Sequence, residues 1–351
     1  MSHNIGHMFY YGELPWHTLG EKLDHPATVS EALMAGGLDW EVDTVPLVPA
    51  GEPHTEISHR VAVVRRDRQP GETGRVVGVV HPGFRPLQNR EGAMMFDALL
   101  GRGERIYHTG GYLKNGEVIW LMAKLPGEIR VRGNDVLETY LLFTNSHDGS
   151  IGIDIRLTTV RVVCQNTLSM ALHKKNTAGK VFRRSHSGSY ALLQEDAKGF
   201  FELTTRQCKE AETLFTALAA KRCTTTDFEA FLKRLMPDPA KPATTSSNPS
   251  VLRAYETRLE TMMTTRRDVT RVHTDGIRRL DIPPSENTWW GALNTVTGWV
   301  DHLQLTDNDR YAHVLLGSGD RLKSAALTQI LVTTGCDEGK GIVPLPASRK
   351  G

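Results

Sequence analysis

The chain has 351 residues, 39% of them apolar and 23% charged, the balance of a soluble globular protein with room for two or three domains. Its formal charge of +2 hides two unlike parts: residues 1–150 carry 14 Lys/Arg against 19 Asp/Glu, net −5, and residues 151–351 carry 28 against 21, net +7. No run approaches ~18 apolar residues and no basic stretch with an apolar run behind it opens the chain, so neither a membrane span nor a signal peptide is expected.

The elements follow in order. Thr28 or Ser30 can cap a short helix, Glu31–Ala35, stopped by Gly36-Gly37. HRVAVVRR (59–66) and RVVGVV (75–80) read as strands, joined by a turn-rich polar connection with Pro70-Gly71 and Gly74. Asn89 is a plausible cap for a helix over Arg90–Leu100, with Met94, Met95, Ala98 and Leu99 on its apolar side. Arg105–Leu113 and Glu117–Leu125 flank Lys114-Asn115-Gly116, a hairpin signal. Val136–Thr144 and Ile151–Val163 flank NSHDGS, whose side-chain acceptors and glycine suit a tight connection. Ile151, Ile153, Ile155 and Leu157 share one face of the second strand, so Asp154, Arg156 and Thr158 fall on the other, and a half-buried strand would leave Arg156 free for a ligand.

Gln165-Asn166-Thr167 reads as a strand break that caps a helix through Leu172. From Tyr190 the pattern turns helical. Phe201, Cys208 and Phe215, with Thr204, Ala211 and Leu218, keep a seven-residue rhythm. Further helices are expected over Thr226–Met236, Val251–Arg271, Trp289–Leu303 and Arg310–Thr333, the last interrupted by Gly317-Ser318-Gly319. The order predicts an α+β protein: an antiparallel sheet with helices over 1–190, then an all-helical region over 191–335, with a linker at 237–250 and a flexible tail at 336–351.

The segments TNSHDGS and TTVRVVCQNTLSMAL resemble the core of a phage- and plasmid-associated family, domain-of-unknown-function family 932. PWHTLG (Pro15–Gly20), LDW (Leu38–Trp40), PLQNREGAMMFDAL (Pro86–Leu99), GGYLKNGEVIW (Gly110–Trp120) and WWGALNTVTGWVDH (Trp289–His302) are similar to other parts of that family, in order, from about residue 10 to 333. The resemblance implies a mobile-element setting and work on DNA or RNA. It brings no catalytic residue with it.

Charge points the same way. Between Asp154 and Glu195 no acidic residue occurs, while Arg156, Arg161, Lys174, Lys175, Lys180, Arg183 and Arg184 do. A basic segment of this kind suits phosphate contacts, and Phe182 and Tyr190 within it could stack bases. Arg156 and Arg161, five apart, lie on opposite faces of a regular strand. A second group of residues, Asn145, His147 and Asp148 with Gln165 and Asn166, forms a possible site loop. With Asp154 the loop could hold a divalent metal for phosphodiester cleavage, but Asx-turn chemistry explains Asn145 and Asp148 without one. Cys164, Cys208, Cys223 and Cys336 form no C-x-x-C and fit reduced thiols in a cytoplasmic protein. Gly317-Ser318-Gly319-Asp320 lacks phosphate-loop spacing, and no dinucleotide fingerprint occurs. Arg253, Arg258, Arg266, Arg267 and Arg271 are expected to lie on a solvated helix paired with Glu256, Glu260 and Asp268.

The expectation is a cytoplasmic, non-catalytic nucleic-acid-binding protein without cofactor or metal, acting on single-stranded DNA in recombination or replication and able to form homo-oligomers. Its sheet and hairpins beside a basic segment are similar in pattern to single-strand annealing proteins. The alternatives are a metal-dependent nuclease or phosphoesterase at His147, Asp148 and Asp154, and an assembly protein that exposes the Phe201–Leu218 face.

Overall fold

In the computed structural model the strand-forming middle of the chain becomes one large sheet. The structure describes residues 5–12, 20–52, 55–66, 74–100, 104, 106–133, 135–161, 167–170, 182–186, 208–242, 249–278, 284–304, 313–314 and 317–336, with the backbone alone at 161, 167–170 and 182–184. The strands are β1 (Ile5–Tyr11), β2 (Glu21–Leu23), β3 (Glu41–Pro46), β4 (Val61–Arg66), β5 (Arg75–Val80), β6 (Tyr107–Leu113), β7 (Val118–Arg132), β8 (Asp135–Ser146), β9 (Ile153–Arg161), β10 (Thr167–Met170) and β11 (Phe182–Arg184). The helices are α1 (Val29–Ala35), α2 (Asn89–Leu100), α3 (208–220), α4 (Thr225–Leu235), α5 (Pro249–Asp275), α6 (Trp289–His302) and α7 (Ser318–Thr334). Strands dominate before residue 190 and helices after it, an α+β protein.

The large sheet runs β10-β9-β8-β7-β6-β1-β2, and β3-β4-β5 form a second, smaller sheet. Pairing is antiparallel throughout except between β1 and β2. On β9, β11 pairs with residues 153–155 and β10 with 157–160, so the two short strands lie end to end along one edge. The helix expected from Thr167 is therefore strand β10. A four-residue apolar run does not distinguish helix from strand, and the edge of β9 offers the hydrogen bonds that settle it. β7 is long enough to bend at Pro126-Gly127, where its register on β8 shifts and Gly127 takes φ +99.

One apolar core gathers Phe9, Ile119, Leu121, Phe143, Ile153, Ile155 and Leu157 from one face of the large sheet. Val42, Val63 and Val77 join it from the small sheet, and Leu33, Phe96, Phe215, Phe228, Trp290 and Leu327 from the helices. Local chemistry sets the helix starts. Thr28 caps α1 in a box with Glu31, and Thr224 caps α4 with Asp227. Asn89 is no cap: it lies within α2, buried, and its amide donates to the Leu38 and Trp40 carbonyls. The core face of α2 is Ala93, Met95 and Phe96, rotated from the expected one, and Met94 is exposed. In α3, Ala211, Leu214, Phe215 and Leu218 are buried, so the described part of the seven-residue face is core.

The other face of the large sheet is also covered. Met8, Trp120, Met122, Tyr140 and Leu142 form a second cluster with Val314. Beside them Asp154 and Arg156 are 0% and 4% exposed, so β9 is not half buried and Arg156 is not free. In contrast, α5 is 27 residues long, about 40 Å at ~1.5 Å per residue, and none of its residues before Val269 is buried.

Candidate nucleic-acid interface and the 145–151 loop

The seven basic residues do not form one described surface. Arg156 Nε donates to Asp154 Oδ1 at 2.6 Å and Nη1 to Asp320 Oδ2 at 3.1 Å, all three side chains being buried. Both carboxylates hold the guanidinium charged against the desolvation of burial. Arg156 is a structural cation that ties β9 to the first turn of α7. The buried pair Lys323–Asp301, 2.7 Å, ties the next turn of α7 to α6. Arg161 ends β9 opposite Leu137, and Arg183 and Arg184 lie in β11 opposite Asp154 and Ile153. Two of the seven thus sit on the outermost described strand of the sheet. Lys174, Lys175 and Lys180, with Gln165 and Asn166 of the possible site loop, lie outside the described residues.

Other cations do converge. A cleft of about 540 Å³ between α4 and α5 is lined by Lys233, Arg266, Arg267 and Arg271 with Glu229 and Asp275, four positive charges against two negative, over Leu232. Arg266 fixes its geometry. It donates to the Met236 carbonyl at the end of α4 and to Asp238 at 2.5 Å, which clips α5 to α4. Lys233, Arg267 and Arg271 are exposed and have no carboxylate partner among the described residues. Nor do the expected pairs of Arg253 with Glu256 or Glu260 form; the ion pair of α5 among the described residues is Arg266–Asp238. Thr270 returns its hydroxyl to the Arg266 carbonyl and Thr274 gives its own to Asp275 Oδ1 and the Arg271 carbonyl, so neither adds charge to the cleft. The sequence signal was the i,i+4 pair Arg267/Arg271, two like charges on one helix face. Lys233, brought in by a separate helix, gave no signal.

The 145–151 loop splits the proposed metal-ligand set. Asp148 Oδ1 accepts from Ser150 N and Ser150 Oγ, an Asx turn, with Gly149 at φ +75 completing the connection. Asp154 belongs to the opposite face of the sheet from Ile153 and Ile155, with its carboxylate on Arg156. His147 points the other way, against Trp40, with ring centroids 5.3 Å apart. The trio His147, Asp148 and Asp154 is therefore not one centre, and no three His, Cys, Asp or Glu side chains among the described residues stand as a metal-ligand set.

What the loop does gather is Asn145, His147, Asn89 and His186. Asn145 Nδ2 donates to the Leu87 carbonyl, and His147 Nε2 lies 2.9 Å from Asn89 Oδ1. His186, just past β11, packs its ring at a tilt against Phe84 with centroids 4.4 Å apart, its Nδ1 3.3 Å from the Arg85 carbonyl. Burial lowers the pKa of His147 to about 3, with His186 nearby as the smaller cause. Burial lowers that of His186 too, against the Arg85 and Ile151 carbonyls and Asp148. Both rings are neutral at pH 7. His186 was missed in the sequence because nothing local marks it: register on β9 alone brings it to the loop.

Two comparisons find nothing: no curated protein and no solved structure matches the chain. The third does match. The model of the family described as Domain of unknown function (DUF932) covers residues 76–324, from β5 into α7 and including the 145–151 loop and the α4–α5 cleft. The chain belongs to the DUF932 family.

Proposed function

We propose that this protein binds nucleic acid through electropositive surface, without covalent chemistry, in the cytoplasm of a cell that carries a phage or plasmid. The observation that carries the reading is the α4–α5 cleft: three exposed cations without described carboxylate partners, on two helices that Arg266 holds together. Phosphate binding needs such unneutralised charge at a fixed spacing more than it needs directional groups. The acid-free stretch supports the same reading, since its described strands β10 and β11 form the outer edge of the large sheet, with Arg183 and Arg184 in β11. Single-stranded DNA is the favoured partner and strand annealing in recombination or replication the favoured task, on the pattern of a broad sheet beside a basic segment.

The test is a binding titration of a fluorescent oligothymidylate across a salt series. Each phosphate neutralised on a single strand contributes a slope of about −0.7 in log K against log salt. Lys233→Gln/Arg267→Gln/Arg271→Gln should therefore flatten the slope by about 2. Neutralising Lys174, Lys175, Arg183 and Arg184 should weaken binding equally for all base sequences. Affinity indifferent to salt refutes the reading, and a slope unmoved by the triple substitution removes the cleft from it.

A further inference from the structure

Between the end of α6 and the start of α7, three side chains stand in a hydrogen-bonded row. Gln304 Oε1 lies 2.9 Å from His313 Nε2, and Ser318 Oγ lies 2.9 Å from His313 Nδ1. An amide oxygen only accepts, so Nε2 carries the ring proton. Nδ1 then offers its lone pair to the Ser318 hydroxyl, which donates. Burial holds the His313 ring below the ordinary imidazole pKa. Lys323 and Arg321 act the same way, against Asp301, so the ring is neutral at pH 7 and able to take a proton.

The fold holds this row from behind. His313 is 9% exposed, and Val314 beside it belongs to the second apolar cluster. Gln304 donates its backbone N–H to the Trp299 carbonyl in the last turn of α6. A Cβ on Gly319 would lie 2.7 Å from His313 Cδ2 and Nε2, so the ring reaches its place only because residue 319 has no side chain. Ser318 itself is exposed. It is the first residue of α7, and Gly317 before it supplies no side-chain cap. The N-terminal amides of a helix point out of its first turn, where negative charge is favoured.

An exposed hydroxyl on a buried neutral base, itself oriented by a third group, is the constellation of nucleophilic catalysis, recognised by role rather than by sequence order. We infer that Ser318 is the nucleophile of an acyl-transfer site that cleaves carboxylic esters, with His313 as general base and Gln304 as the positioning residue. Ser318 Oγ bonds to the ester carbonyl carbon while its proton passes to His313 Nδ1, and the first-turn amides of α7 supply donors for the oxyanion. The alkoxide leaves with that proton as an alcohol, and acyl-Ser318 remains. Water then gives a proton to His313 and attacks the acyl carbon, and Ser318 Oγ leaves with that proton, releasing the carboxylic acid. Gln304 Oε1 accepts from Nε2–H throughout and keeps Nδ1 aimed at Ser318. Being neutral, Gln304 does not stabilise an imidazolium as a carboxylate would, which suits esters, whose alcohols leave readily, over amides. This activity lies beyond nucleic-acid binding and uses other residues, so either can fail alone.

The experiment treats the full chain with a fluorophosphonate probe, mapped by tryptic mass spectrometry, and follows p-nitrophenolate release from p-nitrophenyl acetate by stopped flow. Ser318 should carry the probe, and Ser58, exposed and outside the row, should not. A p-nitrophenolate burst of about one equivalent should precede steady turnover. Ser318→Ala should abolish label and burst at unchanged Tm, and His313→Gln should slow the burst by about 100-fold or more. Gln304→Ala should slow it too. Gln304→Glu, whose carboxylate accepts the same proton and raises the pKa of His313, should keep the burst and move its acid limb to higher pH. An unlabelled Ser318, or a burst that survives Ser318→Ala, overturns the site. So does equal labelling of Ser318 in wild type and in His313→Gln shown to be folded by circular dichroism.

Discussion

Replacing Arg156 by Met distinguishes a structural cation from a phosphate ligand. The guanidinium lies between Asp154 and Asp320 at 2.6 and 3.1 Å, and all three side chains are at most 7% exposed. Removing it leaves two carboxylates desolvated without their shared counter-ion, a change that costs about 3–5 kcal/mol in buried pairs. At ~2.1 cal/mol/K of unfolding entropy per residue, a chain of this length carries ~0.7 kcal/mol/K, so Tm should fall by about 4–7 °C. The methionine fills most of the space, so the loss is electrostatic. Asp154→Asn/Arg156→Met/Asp320→Asn, which neutralises the set together, should recover most of it. Circular-dichroism melts and urea titrations measure both variants, and oligothymidylate affinity is read well below Tm. If Arg156→Met melts within 1 °C of the wild type but flattens the salt slope of binding, the ion triad is not what Arg156 is for.

Two further outcomes test the loop and its neighbours. Burial holds the folded pKa of His147 at about 3, below the ordinary imidazole value of 6.5. Its contribution to stability is therefore whole above pH 6.5 and is lost as pH falls toward 3, by about 1.4 kcal/mol per pH unit while only the unfolded chain binds the proton. Urea melts at pH 7, 5.5 and 4.5 should show a shallower decline for His147→Gln, and an equal decline refutes the assignment. Gly78→Ala places a Cβ 2.5 Å from His147 O and 2.6 Å from Asp148 Cα. It should cost about 1–3 kcal/mol in urea denaturation, as overpacking does, and an unchanged midpoint would show that loop and strand can part freely.

The sequence carried the sheet well because its strands obey local rules. The apolar runs of 118–125 and 136–144 and the turn residues of NSHDGS are contained within a dozen positions. Arg156 shows where such reading stops. Alternation placed it correctly on the face away from Ile155, but what covers that face is Asp320, 164 residues later, and no local pattern foretells it. The α2 helix was found and its face misplaced, since Met94 and Ala98 fit an apolar stripe as well as Ala93 and Phe96 do. The site cluster was half legible. Asn145 and His147 lie two residues apart at the end of β8, but Asn89 arrives from α2 and His186 from beyond β11, and only register joins them.

Charge in this chain has two separable uses. Arg156 and Lys323 are spent inside the fold, where each is matched by carboxylates at hydrogen-bond distance and gives nothing to a partner. Lys233, Arg267 and Arg271 stand in water, where neutralising them costs little stability. Net charge along the sequence does not distinguish the two groups, since Arg156 opens the acid-free stretch and is the described residue of it most fully neutralised. A basic segment is thus a guide to a polyanion only after its buried members are subtracted. By that measure Arg266 is spent on Asp238, and the α4–α5 cleft still offers Lys233, Arg267 and Arg271 against Glu229 and Asp275 over two clipped helices, so substitutions there should separate binding from folding where substitution of Arg156 cannot.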